Sequence, residues 1–486
     1  MSEAIAARQA TRRGNWLPNK LHPGQMVVLS FVAVILLGTF LLSLPAASRS
    51  GQGMRVIDAF LTATSAACVT GLTVVDTGTH FSLLGQLVIL GCIQVGGLGL
   101  MTFTTIFLLA TGRRMAITDR IAIQDSFLHS PSGKMGPLVW YIIKATLFTE
   151  VLGALILAAW WLRTGVYENW PDALYSGIFH SVSAFCNAGF GLFPDNVMRF
   201  QGDAVVLGTL SALIVAGGLG FLVGLDVKSY VEQKWFQSLW TEPRREQVAA
   251  IRPRPRLSLH SKFVLTVSAA LLVVGAVSYY LLERNGLFRE MGHAEALLNS
   301  WFCSVTARTA GFNSIDYAKM GGPALLCTMV LMFIGASPGS CGGGVKTSTF
   351  GILVTYAVFR WRGHEAPHAF RRSIPQDSVD RATSVVIAGV AVVILASSFL
   401  MATEARSTVA EESQAKFLSL MFETFSGFGT VGLSMGITPK LTDAGKFILS
   451  VLMFLGRVGP LTVAFAIGAR NRGSRYKYAE ENVMVG

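Results

Sequence analysis

The sequence predicts an all-α membrane protein built from four pseudo-repeated helix/P-loop/helix units around a central pore. Of the 486 residues, 52% are hydrophobic and 14% are charged, and the mean hydropathy is +0.51, which is too apolar for a soluble globular protein. Short polar loops ending in glycine recur 118, 122 and 121 residues apart, at Gly71, Gly189, Gly311 and Gly432. This recurrence indicates an internal repeat, and four such loops around one axis can replace the water around a cation with backbone carbonyls.

Eight apolar runs are long enough to supply the ~20 residues with which a helix crosses ~30 Å of hydrocarbon. The first runs of the units are 26–44, 138–162, 263–282 and 384–401, and the second runs are 83–110, 204–225, 323–359 and 447–469. We place the units at 26–112, 138–228, 260–360 and 382–470, between an N-terminal tail, 1–25, and a C-terminal tail, 471–486.

Lysines and arginines are concentrated on alternate loops. They gather in the N-terminal tail, in 113–134, 228–262 and 360–381, and after residue 469. The positive-inside rule therefore predicts a multi-pass protein with both termini in the cytoplasm and the glycine loops open to the outside. The net charge of +12 then reflects membrane topology and contact with anionic lipids of the bilayer, so it does not indicate a nucleic-acid partner.

A short apolar segment precedes each glycine loop, at 57–67, 173–185, 294–305 and 417–425. At ~1.5 Å per residue such a helix reaches about half-way through a bilayer, so it has to enter and return on the same side. Non-helical backbone at that depth persists only where it is buried in protein or lines water. We therefore expect four re-entrant pore helices beside eight spanning helices.

The four loops contain no carboxylate, so ion selectivity would have to come from carbonyl and hydroxyl oxygens. Glycine allows close approach of the chains to one axis, and the pore helices direct their partly negative ends toward it. The predicted K+ selectivity filter consists of Val69, Thr70, Gly71, Asn187, Ala188, Gly189, Thr309, Ala310, Gly311, Thr430, Val431 and Gly432. Beyond the first three glycines, an outer vestibule that concentrates cations is predicted from Asp76, Asp195 and Asp316.

Residues 335–346, here called the intramembrane loop, interrupt the second run of the third unit. A glycine costs a helix ~1 kcal/mol and a proline ~3 kcal/mol, so a stretch with several glycines and one proline is expected to open. A charged lysine in this stretch favours a gate over an inert wedge between units. The predicted gate residues of this loop are Gly339, Gly342, Gly343, Gly344 and Lys346.

Arg457 lies within the second run of the fourth unit. An arginine at membrane depth costs ~2.5–3.5 kcal/mol on insertion scales, so it should face the pore or a carboxylate. In the pore its charge would oppose cation passage, and we count it with the gate. The alternative is a structural ion pair with a carboxylate such as Glu423.

Four stretches of the sequence resemble a known family. They are 69–73 (VTGLT), 305–313 (VTARTAGFN), 342–350 (GGGVKTSTF) and 456–462 (GRVGPLT). In this order they resemble the Trk/Ktr/HKT potassium transporter superfamily, and within it the membrane subunits of bacterial Ktr uptake systems. The likeness extends from about residue 21 to the C-terminus.

The resemblance implies K+ uptake across the bacterial plasma membrane, with K+ as the transported ion and no covalently bound cofactor. It also implies a homodimer, to which the C-terminal tail contributes. It further implies a cytoplasmic ring of nucleotide-binding regulatory subunits; ATP or ADP is bound by those subunits and not by this chain. Glycine in all four loops accompanies K+ preference in the family, whereas serine in the first loop accompanies Na+; Gly71 thus favours K+. A Na+-transporting member, or one that couples K+ to Na+ or H+, is the alternative.

An enzyme is not expected. His364, Glu365 and His368 match the H-E-x-x-H zinc pattern, but Pro367 opposes the continuous helix that this motif requires. The glycine run before Lys346 lacks the glycine that directly precedes the lysine of a phosphate-binding P-loop, because Val345 stands there. The six cysteines show neither metal-ligand spacing nor a disulfide framework, so no metal other than transported K+ is predicted.

Overall fold

The computed structural model describes residues 23–98, 135–238, 256–364, 366–404 and 410–459. Nearly all of the predicted N-terminal tail, the whole C-terminal tail, and the parts of the first and fourth units beyond residues 98 and 459 lie outside this range. Most of the described residues lie in helices. The prediction of a helical protein is therefore confirmed.

Eight helices occupy the first two described segments. They are α1 (Pro23–Ser43), α2 (Val56–Ala67), α3 (Thr77–His80), α4 (Leu83–Gly97), α5 (Met135–Arg163), α6 (Trp170–Phe185), α7 (Ala204–Gly218) and α8 (Phe221–Ser238). Short 3₁₀ turns lie at Pro45–Ala47 and Met198–Phe200.

Seven further helices follow from residue 259 onward. They are α9 (Leu259–Glu283), α10 (His293–Thr306), α11 (Gly322–Phe333), α12 (Thr347–Trp361), α13 (Gln376–Glu404), α14 (Ala410–Gly429) and α15 (Asp443–Val458), with 3₁₀ turns at Tyr317–Lys319 and Thr438–Lys440. A two-residue hairpin, β1 (His368–Ala369) and β2 (Arg372–Ser373), is antiparallel with His368 opposite Ser373.

Three described helices are long and apolar enough to cross a membrane: Val139–Arg163 within α5, together with α9 and α13. A fourth span results if α7 and α8 are counted together, although the chain bends by 98° between them. The apolar parts of α1, α2, α4 and α11 are shorter, at 10–17 residues. Eight spans therefore remain a prediction, whereas a multi-pass membrane protein follows from the several apolar helices.

Two of the predicted second runs contain breaks. The third one opens between α11 and α12, as its glycines and proline predict. The second one, 204–225, contains a break that its sequence does not predict, because α7 ends at Gly218 and α8 begins at Phe221. Gly220 has φ +89°, a left-handed conformation that glycine adopts without penalty, and the chain turns there.

Each short helix before a glycine turn packs against its own unit and against the preceding one. α6 contacts α4, α10 contacts α7, and α14 contacts α11. The fourth contact joins the two ends of the described chain, because α15 packs against α2. The four contacts therefore close a circle, with the glycine turns at the ends of α2, α6, α10 and α14 inside it.

A buried ion pair joins α2 to α15 where this circle closes. Lys446 Nζ lies 2.6 Å from Asp58 Oδ1, and these side chains are only 5% and 12% exposed. Removing one partner of a buried pair leaves an uncompensated charge and typically costs ~3–5 kcal/mol. We expect Lys446→Met to lower the thermal midpoint of the detergent-solubilised protein strongly, as measured by loss of the monodisperse peak after heating.

A second ion pair, between the residue that precedes α2 and the first residue of α15, supplies the control. Arg55 and Asp443 approach to 2.5 Å, but both side chains are 62% exposed. Because exposed pairs contribute about 0–1 kcal/mol, Arg55→Met should shift the midpoint little. Equal losses in the two variants would contradict a special role for the buried pair.

Candidate functional site

The four glycine turns share one backbone geometry. φ is positive at each glycine and also at the residue two positions before it: Val69, Asn187, Thr309 and Thr430. A left-handed conformation costs a non-glycine residue roughly 1–2 kcal/mol, and such strain concentrates at functional sites. Four repetitions of the same strained turn therefore indicate a site rather than four unrelated loop ends.

The turns also touch one another in sequence order. A Cβ built on Gly71 would lie 2.6 Å from the carbonyl oxygen of Ala188, and one built on Gly189 would lie 2.8 Å from that of Ala310. A Cβ on Gly311 would overlap the Val431 carbonyl oxygen, and one on Gly432 would overlap that of Thr70. The predicted residues thus come together as a closed ring, in which each glycine faces the carbonyl that precedes the next glycine.

Serines at the ends of α2 and α14 support two of these turns. Ser65 Oγ accepts a hydrogen bond from the Gly71 N–H at 3.0 Å, and Ser426 Oγ accepts one from Gly432 at 3.0 Å. In the third turn, Thr306 Oγ1 donates to the Phe312 carbonyl at 2.8 Å. Sequence reasoning missed these residues, although a serine six positions before the glycine recurs in three units, Ser183 being the third.

The second and third turns are linked by side chains as well. The Asn187 amide group lies 3.3 Å from the Thr309 hydroxyl, so two predicted filter residues of adjacent turns are hydrogen-bonded. Farther along, Asn196 Nδ2 donates to the Gly189 carbonyl at 3.1 Å, and Asn196 Oδ1 accepts from the Asn313 N–H at 3.3 Å. Asn196 was not predicted, since a single asparagine after a loop gives no signal without the fold.

A cavity of about 490 Å³ opens on one side of the ring. All four glycines line it, together with Asp76, Asp316, Asn196 and Asn313. Two of the three predicted vestibule carboxylates therefore lie at its wall.

Asp195 is not among the lining residues of this cavity. Its carboxylate lies 2.8 Å from the Arg199 guanidinium, which offsets its charge. On the side of the fourth turn the wall carries Lys440. Asp76 and Asp316 thus remain as the acidic residues of the wall, and the Asp316 carboxylate lies 3.7 Å from the Lys319 ammonium group, so the field around the entrance is uneven.

The intramembrane loop contacts the turns at the residues that do not line this cavity. The Gly343 N–H donates to Thr430 Oγ1 at 3.0 Å. A Cβ built on Gly342 would overlap Thr309 Oγ1, which shows how closely the loop approaches the third turn. The two ends of the loop pair with each other, because the Gly335 N–H donates to the Val345 carbonyl at 2.8 Å, and the Val345 N–H donates to the Phe333 carbonyl at the end of α11 at 3.2 Å.

Two cationic side chains bind carbonyls of this loop. Lys346 Nζ donates to the Gly342 carbonyl at 2.7 Å. The Arg457 guanidinium donates to the carbonyls of Cys341 and of Gly96, so it bridges the loop, the end of α4 and its own helix α15. Glu423, the alternative partner, instead accepts a hydrogen bond from the Thr438 hydroxyl. The structure therefore places Arg457 against the loop and not in an ion pair with Glu423.

The H-E-x-x-H match does not form a helix. α12 ends at Trp361, and His368 lies in β1. The rings of His364 and His368 both pack against Phe359, and Glu365 lies outside the described residues. Among the described residues no cluster of three or more His, Cys, Asp or Glu side chains has metal-binding geometry.

A helical membrane protein with a closed ring of backbone carbonyls beneath an open cavity is of the class that moves cations. The chain belongs to the TrkH family of cation transport proteins, whose model matches residues 6–471. The resemblance seen in the sequence is therefore confirmed.

Named relatives and a solved structure agree with this assignment. The chain is 39% identical over 471 residues to the potassium/sodium uptake protein NtpJ of Enterococcus hirae, covering 96% of this chain and 98% of the relative. It is 37% identical over 469 residues to the Ktr system potassium uptake protein B of Bacillus subtilis, covering 96% and 97%. The fold is similar to that of the potassium transporter TrkH from Vibrio parahaemolyticus, with a TM-score of 0.66 at 18% identity over 95% of this chain and 88% of that one.

Proposed function

We propose that this protein takes up K+ across the bacterial plasma membrane through a filter formed by the four glycine turns. The closed ring, in which each of the four glycines faces the carbonyl before the next one, carries this proposal. Carbonyl oxygens held in such a ring can replace the hydration shell of a K+ ion. α2, α6, α10 and α14 then act as pore helices, each directing its partly negative C-terminal end to the ring.

The orientation of the protein in the membrane is inferred from the charges around the filter. The cavity with Asp76 and Asp316 is the outer vestibule, where carboxylates raise the local concentration of cations. The basic segments then face the cytoplasm, together with both termini. The chain itself catalyses no covalent step.

The intramembrane loop is the proposed gate. It lies directly against two filter turns, and Lys346 and Arg457 place positive charge beside it. A cation that leaves the filter would meet these charges in a low-dielectric surrounding, where repulsion is strong. Displacing the loop would remove both the steric and the electrostatic barrier.

Opening is proposed to depend on partners. Relatives named as components of a Ktr system suggest an assembly, and we infer a homodimer bound to a cytoplasmic ring of nucleotide-binding subunits that hold ATP or ADP.

Flux measurements in proteoliposomes test the proposal. The purified protein should carry K+ down an imposed K+ gradient, with Na+ carried several-fold more slowly, and it should do so without a Na+ or pH gradient. Flux of Na+ that equals or exceeds K+ flux would favour the Na+-transporting alternative, which the Enterococcus relative motivates because it is a potassium/sodium uptake protein. Flux of K+ that requires an imposed Na+ or H+ gradient would show coupling. No cation flux from monodisperse protein, even with the activating regulatory subunit bound, would contradict a pore.

A further inference from the structure

The bend between α7 and α8 holds the intramembrane loop by its backbone. We call residues 217–221 the elbow. The Cys341 N–H donates to the Gly217 carbonyl at 3.1 Å, and the Ser337 N–H donates to the Gly218 carbonyl at 3.1 Å. In the opposite direction the Phe221 N–H donates to the Gly339 carbonyl at 3.1 Å.

These hydrogen bonds complete two helix ends. The last carbonyls of a helix and its first N–H groups have no partner within the helix. Here the carbonyls at the end of α7 and the first N–H of α8 find their partners in the intramembrane loop. If either moved alone, buried polar groups would be left unsatisfied, so the loop and the elbow are mechanically coupled.

Close packing at the elbow strengthens this coupling. A Cβ built on Gly220 would lie 2.6 Å from the Pro338 carbonyl oxygen, so the two backbones are in contact without an intervening side chain.

α8 leads from the elbow to an exposed surface. Its 18 residues extend over about 27 Å. Residues 231–235 at its far end are exposed, and α8 carries Lys228 and Lys234. Asp226 links α8 to the start of α9, because its carboxylate accepts a hydrogen bond from the Ser258 N–H at 2.8 Å.

We infer that α8 is a control arm for the intramembrane loop: movement of its exposed end is transmitted through the elbow, and the elbow hydrogen bonds hold the loop in its closed position. This inference rests on the proposed gate function. It places the entry of the regulatory signal at α8, with the cytoplasmic regulatory subunit as the partner that moves it.

One hydrogen bond of the elbow can be removed by a single substitution, with a second variant that accounts for the loss of the Phe221 ring from its contact with Phe185. Phe221 is the first residue of α8, a position that favours proline, and proline lacks the N–H that Gly339 requires. Phe221→Pro therefore deletes the bond while leaving the helix intact. Phe221→Ala is the matched control, because it also removes the ring but retains the N–H.

We expect Phe221→Pro to raise basal K+ flux in proteoliposomes by about tenfold over Phe221→Ala, in the absence of any regulatory subunit. The K+/Na+ flux ratio should be the same in both, since the filter is not touched. Equal basal flux in the two variants would overturn the coupling. If none of the proteins, including the wild-type protein with its regulatory subunit bound, carried K+ selectively, the proposed function itself would be overturned.

A second pair of variants covers the case in which Phe221→Pro does not yield a monodisperse protein. Gly220→Ala should also raise basal flux, because the added Cβ would meet Pro338 and Gly220 has φ +89°. Gly208→Ala on α7, where nothing lies within 4 Å, is its control. Unchanged flux in Gly220→Ala would contradict the inference.

Cross-linking tests the arm itself. Joining Asp226→Cys to Ser258→Cys with a short thiol cross-linker fixes α8 to α9. Activation by the regulatory subunit should then be lost, whereas basal flux and subunit binding should persist; the two single-cysteine variants treated in the same way are the controls. Activation that survives complete cross-linking would show that the signal does not pass through α8.

Discussion

Substitution of Gly432 by alanine is expected to abolish K+-selective flux. The added Cβ would overlap the Thr70 carbonyl oxygen, and Gly432 has φ +95°, which disfavours any side chain. The Thr70 carbonyl belongs to the ring, so the overlap would displace one of the groups of the proposed filter. We expect K+ flux to fall by at least an order of magnitude, because loss of one ligand worth about 1.4 kcal/mol already corresponds to tenfold. Tracer uptake into proteoliposomes measures it.

Gly436 provides a matched control four residues farther along. It has φ +81°, but a Cβ there would meet nothing within 4 Å. Gly436→Ala therefore carries the backbone strain of a left-handed alanine without crowding of the ring, and its flux should remain near that of the wild-type protein. Comparable loss in both variants would mean that strain alone explains the effect and would count against the filter assignment.

Arg457→Ala is expected to raise the basal flux. The guanidinium donates to the carbonyls of Cys341 and Gly96 and so fixes the intramembrane loop, besides placing a positive charge beside the ion path. Hydrogen bonds from charged groups contribute about 1.5–3 kcal/mol, so their loss should increase the open population by about ten- to a hundredfold. Flux without a regulatory subunit, normalised to the amount of monodisperse protein, measures this effect.

The Arg457→Lys variant distinguishes the effect of the positive charge from the effect of the hydrogen bonds to the two carbonyls. Lysine keeps the positive charge but lacks the planar fork that reaches two carbonyls at once. If the flux of Arg457→Lys is close to that of the wild-type protein, the barrier is due to the positive charge. If it is close to that of Arg457→Ala, the barrier is due to the two hydrogen bonds that Arg457 donates. Reduced flux in both Arg457→Ala and a variant with a shortened intramembrane loop, at normal expression, would contradict the gate.

The sequence could predict the features that depend on composition and spacing. The interruption after α11 follows from the local cost of Pro338 and several glycines within a helix. The grouping of the four turns follows from a regular recurrence of glycine behind segments too short to span a bilayer.

Other features depend on contacts between distant parts of the chain. The break after Gly218 was missed because a few glycines in an apolar run are compatible with a continuous helix, and only the loop that supplies hydrogen bonds to the elbow favours the bend. The left-handed conformations of Val69 and Thr430 were not predictable either, since these residues disfavour it locally. The neutralisation of Asp195 by Arg199 depends on side-chain geometry that spacing alone does not reveal.

The ion pair between Asp58 and Lys446 joins positions separated by 388 residues. The N-terminal helices are inserted into the membrane first. A chain still attached to the ribosome therefore contains only part of the circle of units. The circle can close only after α15 has been synthesised and released. We therefore expect the nascent protein to pass through biogenesis without a conducting path, and premature termination to leave products that do not dissipate the ion gradients of the cell.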